Sequence, residues 1–160
     1  MTLLLAIALL LGAVDFSAYP SDETLAAPPA KPVVTGPAAR FATQIRTAAK
    51  EPADFNGHYK IARWGCGSNC LQWAVIDQQT GRVVMAPRAL NSCAAGDAKE
   101  AEAFPDWLDY RADSRLIVAY ECEDPKNGLL FDTRRFYALQ RGALVALRVE
   151  RLKGELGAVS

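Results

Sequence analysis

Cys66-Gly67-Ser68-Asn69-Cys70 sets two cysteines around a three-residue turn, between the strand-like runs His58 to Trp64 and Leu71 to Asp77. That arrangement predicts a β-hairpin whose tip is closed by a disulfide. Cys66 and Cys70 would face each other across the pair, and opposed strand residues lie about 4.5–5.5 Å apart, within the span a disulfide accepts. The four cysteines allow three pairings. Local geometry favours Cys66–Cys70, which leaves Cys93 with Cys122, tying the middle of the chain to a strand in its second half.

Oxidised sulfur implies an oxidising compartment, and the start of the chain agrees. Leu3 to Val14 form an apolar run of 12 residues, suited to a signal-peptide core, whereas a bilayer-spanning helix needs about 20. No Lys or Arg precedes it, and Ala13, Ala18 and Ala26 are the candidate cleavage points. A retained anchor is the alternative. The expected organisation is a signal peptide over residues 1–18 and a disordered Pro/Ala-rich tether over 19–37. A single domain follows over 38–155, then a short tail over 156–160. The localisation expected is periplasmic or secreted, with no stable membrane insertion once the signal is removed. Eighteen basic residues balance eighteen acidic ones, which argues against a nucleic-acid partner.

Within the domain, Phe41, Ile45 and Ala48/Ala49 recur at helical spacing, predicting an amphipathic helix from Ala38 to Lys50, with Pro37 in its first turn and Pro52 as its stop. The pattern then turns to β. Runs at 58–64, 71–77, 82–85, 107–111, 115–122, 134–139 and 144–150 predict six or seven short antiparallel strands, starting as a meander. Residues 86–105 read as a loop with one helical turn near Ala98 to Ala103. Leu116 to Tyr120 looks buried on both faces, while Val145, Leu147 and Val149 alternate with polar or small residues as a half-buried strand. The fold class is therefore mainly β or α+β, a disulfide-stapled antiparallel meander with one N-terminal helix. A parallel sheet would need a helix between each strand pair, and these are lacking.

Chemistry-bearing residues are few. His58 is the only histidine, so a Ser-His or Cys-His scheme would combine it with Ser68 or Cys66 and with Asp77 as the orienting acid. The C-x3-C pair lies between strands. Thiol-disulfide enzymes place theirs at a helix N-terminus, where the dipole lowers the thiol pKa. One histidine is too few for an ordinary zinc site, so no metal and no cofactor are expected. Asp54, Asp106, Asp109 and Asp113 sit in or beside predicted turns, where Asp bonds its own backbone. Glu121, Glu123 and Asp124 around Cys122 could hold a cation or form a solvated rim. Trp64, beside the hairpin tip, could form a binding edge. His58, Trp64 and Asp77 are the candidate binding residues.

Phe55-x-Gly57-His58-Tyr59, Trp64-Gly65-Cys66-Gly67-x-x-Cys70 and Asp77-x-x-Thr80-Gly81 together resemble a family of small exported bacterial proteins of unassigned activity. The likeness runs over about residues 40 to 150. It implies an extracytoplasmic, disulfide-bearing β-rich domain and brings no catalytic residues with it. Relatives often carry a cysteine shortly before the strand that here begins Arg134-Arg135-Phe136; this chain has none. The function expected is a non-catalytic binding module, inhibitor- or immunity-like, recognising a protein or envelope component. The alternatives are a small hydrolase or thiol-redox enzyme centred on His58 and the Cys66/Cys70 tip, and a purely structural envelope protein.

Overall fold

A computed structural model describes residues 14–21, 24, 28–93, 106–127 and 129–152. Among the described residues, eight antiparallel strands form two four-stranded sheets. The first holds β1 (Tyr59–Gly65), β2 (Cys70–Asp77), β3 (Val83–Met85) and β4 (Leu90–Asn91), with β2 pairing the other three. The second runs β5 (Leu108–Tyr110), β6 (Leu116–Glu121), β7 (Thr133–Gln140) and β8 (Ala143–Arg151) in that order.

The period-two alternation of side chains decides how the sheets stack. Tyr59, Ile61, Trp73 and Val75 of the first sheet meet Leu108, Ile117, Ala119, Tyr137 and Leu139 of the second in one buried core. The first sheet's other face, with Ala62, Ile76 and Trp64, is covered by α1 (Ala42–Ala48) through Ile45 and by Phe41 just before it. A 3-10 turn, Gly36–Phe41, leads into this helix. The helix expected over 38–50 is thus part 3-10 and part α, with Pro37 in its first turn as anticipated.

Both pairings favoured by the sequence are present. Cys66–Cys70 spans a Cα–Cα distance of 5.1 Å and Cys93–Cys122 one of 4.9 Å. The second bridge works between sheets: Cys93 follows β4, Cys122 follows β6, and the Cys122 N–H donates to the Asn91 carbonyl at 2.7 Å. Strand β4 falls in the stretch expected as loop. It is only two residues long and its Pro87 neighbourhood reads as a breaker, so neither period nor length marks it. The helical turn expected near 98–103, the apolar run up to Ala13 and the tail at 156–160 lie outside the described residues.

Residues 14–21 and 28–37 differ most from expectation. Val14, Phe16 and Tyr19 pack on Leu116, Val118 and Phe136, covering the outer face of the second sheet. Phe16 is 5% exposed, so a signal boundary at 18 would divide a packed segment. Of the stretch read as a disordered tether, residues 28–37 are likewise laid on the domain. Ala30 N–H donates to the Gln78 carbonyl and Val33 N–H to the Gly81 carbonyl, each at 2.7 Å. Composition predicts disorder from too few large apolar side chains, but these residues are held by backbone hydrogen bonds, which composition does not report. Gly81 permits the approach: it has φ +82°, and a Cβ there would sit 2.2 Å from the Lys31 carbonyl oxygen. The arm also explains why β6 is buried on both faces.

The alternation in β8 is misread. A register shift opposite Phe136/Tyr137 changes the phase of the strand, so Leu147 packs on the outer face while Val145 and Val149 stay exposed.

Loop-closure entropy predicts a loss of about 3.5 kcal/mol when Cys93 and Cys122 are replaced by serine, against about 2 kcal/mol for the Cys66/Cys70 pair; urea unfolding of the two variants measures the difference. Phe16→Ala is expected to cost about 3–5 kcal/mol, as for a core aromatic, whereas a free leader residue would show no change in the same assay.

Candidate functional site

The two ends of the sandwich differ in charge. At the end carrying the hairpin tip, cations are matched by carboxylates. Glu121 is buried between Arg135 and Arg88, the latter 3.1 Å away on the β3–β4 connection. Glu123 binds Arg135 and Arg151. The Glu121/Glu123/Asp124 group considered for a cation is therefore filled by guanidinium groups, and Asp124 accepts the Lys126 N–H. The Cys93 and Cys122 sulfurs lie near Asp132, but both are in the disulfide and the Asp132 carboxylate accepts from Glu123 N and Asp124 N. These groups fit no metal.

The opposite end holds two adjoining cavities. One, about 540 Å³, is lined by Asn56, Tyr59, Arg115 and the β7–β8 turn from Leu139 to Gly142. The other, about 710 Å³, shares Tyr59, Arg141 and Gly142 and adds Val33, Thr35, Asp77, Thr80 and Arg82 among its walls. Together they form a cleft between the sheet ends. Three short turns position it. Asp77 Oδ1 accepts from the Gln79 and Thr80 N–H groups and shapes the β2–β3 turn. Gly57 N–H donates to the Ala112 carbonyl, pinning the 55–58 turn to the second sheet. Arg82 lies across the β7–β8 turn, close enough that a Cβ on Gly142 would meet its guanidinium at 2.9 Å.

The three candidate binding residues do not converge. His58 Nε2 lies 3.2 Å from Asp77 Oδ1, so the histidine and the acid meet as the sequence suggested. His58 is 3% exposed and stacks on Tyr59, with ring centroids 4.3 Å apart, so it braces the cleft from beneath and only Asp77 reaches the wall. Trp64 sits elsewhere, against Phe41 at 4.9 Å beneath the helix. It is half-buried and packs against the cluster under the helix, away from the cleft. The Cys66/Cys70 tip stands at the far end of β1 from His58. Eight residues of strand at roughly 3.3 Å each separate His58 from Cys66 by about 26 Å, so no step can use both.

Asp54, expected to bond its own turn, instead accepts from Lys60 Nζ at 2.7 Å, Ile61 N at 2.9 Å and Tyr110 Oη at 3.3 Å. Asp106 pairs with Arg63, and burial raises the Asp109 carboxyl above its ordinary value. Tyr59, Arg82, Arg115 and Arg141 were missed as site residues, because arginines scattered over 60 positions carry no motif. The one available signal was Arg141-Gly142 in a hairpin turn, where Asn-Gly is the favoured pair.

No protein-family model, curated protein or solved structure matches this chain.

Burial opposes the charge on Lys60, but its hydrogen bonds to Asp54 and Glu51 outweigh that and hold the amine above its usual 10.5. A raised amine contributes stability that is fully present below its unfolded pKa and is lost as pH rises through the folded one. The stability advantage of the native protein over Lys60→Met should therefore stay level up to about pH 10 and shrink above it, as read by chemical denaturation across the alkaline range.

Proposed function

We propose that this protein is a non-catalytic binding module of the extracytoplasmic space, periplasmic or secreted, that recognises a protein or envelope component through the cleft at Tyr59, Arg115 and Arg141. On this reading it belongs with the small exported bacterial proteins whose motifs it resembles. One observation supports it above the others. The cleft is open and preformed between rigid, disulfide-stapled sheets, while the sole histidine is sealed beneath it. Each of its two cavities falls in the range of roughly 300–1,000 Å³ usual for ligand sites. The two disulfides fit an oxidising compartment. No helix among the described residues is long and apolar enough to cross a membrane.

The alternative, a hydrolase or thiol-redox enzyme built on His58 and the Cys66/Cys70 tip, has the length of β1 against it. A residual thiol-redox role for the tip alone also lacks the helix terminus that activates such cysteines.

Amide chemical-shift mapping during addition of fractionated envelope extract tests the reading. Shifts confined to Tyr59, Arg115 and the β7–β8 turn support it; shifts confined to the hairpin tip would sink it. His58→Ala should lose about 1–3 kcal/mol of stability by removing the contact with Asp77, yet bind the same fraction as the native protein. Loss of binding by a variant that is still folded would return His58 to the site.

A further inference from the structure

We propose that the cleft at the end of the sandwich is an oxyanion site, binding the phosphate or carboxylate group of a small ligand between Arg115, Arg141 and Arg82. The proposal deepens the binding-module reading and rests on it.

Charge distribution is the first argument. Arg88, Arg134, Arg135, Arg148 and Arg151 each meet a carboxylate. Among the described residues, Arg82, Arg115 and Arg141 form no ion pair, as Arg40, Arg46 and Arg111 do not, but these three line two cavities that share a wall, with Arg115 also 5.9 Å over the Tyr19 ring. A chain with 18 basic and 18 acidic residues has carboxylates enough to neutralise them, but those that lie near are engaged: Asp77 by the turn N–H groups and by His58. Three guanidinium groups on these walls share them with one carboxylate, Asp77, and a bound oxyanion would complete the charge balance. Guanidinium supplies the paired N–H donors that phosphate and carboxylate accept.

Unsatisfied buried polar groups are the second argument. Asn56 is 3% exposed, lines the cleft, and its Oδ1 has no hydrogen-bond partner. Arg115 Nε is also buried without one. Such groups are rare because each costs stability. A ligand would satisfy both. The Asn56 amide accepts from a hydroxyl on the ligand or, turned over, donates to an oxyanion, and Arg115 donates.

Backbone strain is the third. Arg141 holds φ +50° in the two-residue β7–β8 turn, followed by Gly142 at +71°. Asn is favoured at the first position of such a turn, whereas a long side chain there is strained. Asn56, at φ +42°, lines the same cleft. An arginine where asparagine fits the turn better points to its charge, not the turn, as the reason for the residue.

Pyrophosphate and citrate serve as probes, titrated calorimetrically at low ionic strength into the full chain and into Arg115→Gln, Arg141→Asn and, as a charge-matched control on α1, Arg46→Gln. Arg141→Asn removes the cation while easing the turn, so it should melt no lower than the native protein and keep the test independent of folding. The expected result is binding of at least one probe, weakened about tenfold or more in Arg115→Gln and Arg141→Asn and unchanged in Arg46→Gln. The tighter probe identifies phosphate or carboxylate as the group. Binding of neither, or equal weakening in all three variants as for an adventitious ion only, overturns the proposal. Shifts at Tyr59 from an envelope fraction that persist undiminished in Arg141→Asn and Arg115→Gln would overturn the oxyanion site while leaving the binding module standing.

Discussion

Trp73, fully buried on β2 and packed 6.0 Å from Tyr137 of β7, sits at the contact on which the rest of the architecture depends. Two four-stranded sheets of this length have little stability apart; each needs an apolar face to cover its own. The facing residues supply it because β1, β2, β6 and β7 all keep the period of two, sending Tyr59, Ile61, Trp73, Val75, Ile117 and Tyr137 to one core. Once the sheets are stacked, each outer face still needs a cover. The helix serves the first through Ile45, and the N-terminal arm serves the second through Phe16. The order of layers is thus arm, sheet, sheet, helix.

Stacking also creates two ends, and the chain treats them differently. One is closed covalently by Cys93–Cys122 and electrostatically around Glu121. A buried carboxylate between two guanidinium groups is costly to leave incomplete, so this end holds the sheets in fixed register. Rigidity there lets the other end stay open: the cleft walls are turns, and their spacing is set by strands anchored at the closed end. Tyr59 marks the junction, packed in the shared core on one side and lining both cavities on the other.

Most of the fold was legible in the sequence. The hairpin tip, both bridges, the helix and seven of the strands follow from turn residues and periodicity, since these are local signals. Strand β4 was not, because two residues carry no period. The arm was not, because its contacts are about a hundred residues away in sequence, as in the Ser114 Oγ donation to the Phe16 carbonyl. The site was only partly legible. His58 and Asp77 were singled out by residue type and do meet, but type does not tell which of them reaches the surface. Trp64 was singled out for its place beside the tip, yet the helix packs over it. The arginines that line the cleft come from three separate turns, and only the stacking of the sheets brings them together.

The arm has a further consequence for the order in which the molecule assembles. Phe16 emerges early in a chain made from its N-terminus, but its receptors, Leu116, Val118 and Phe136, come about a hundred residues later. Closure of that face is therefore among the longest-range and slowest contacts available to the chain. Until it happens, a greasy strip of β6 and β7 lies open to solvent, the kind of surface that holdase chaperones cover.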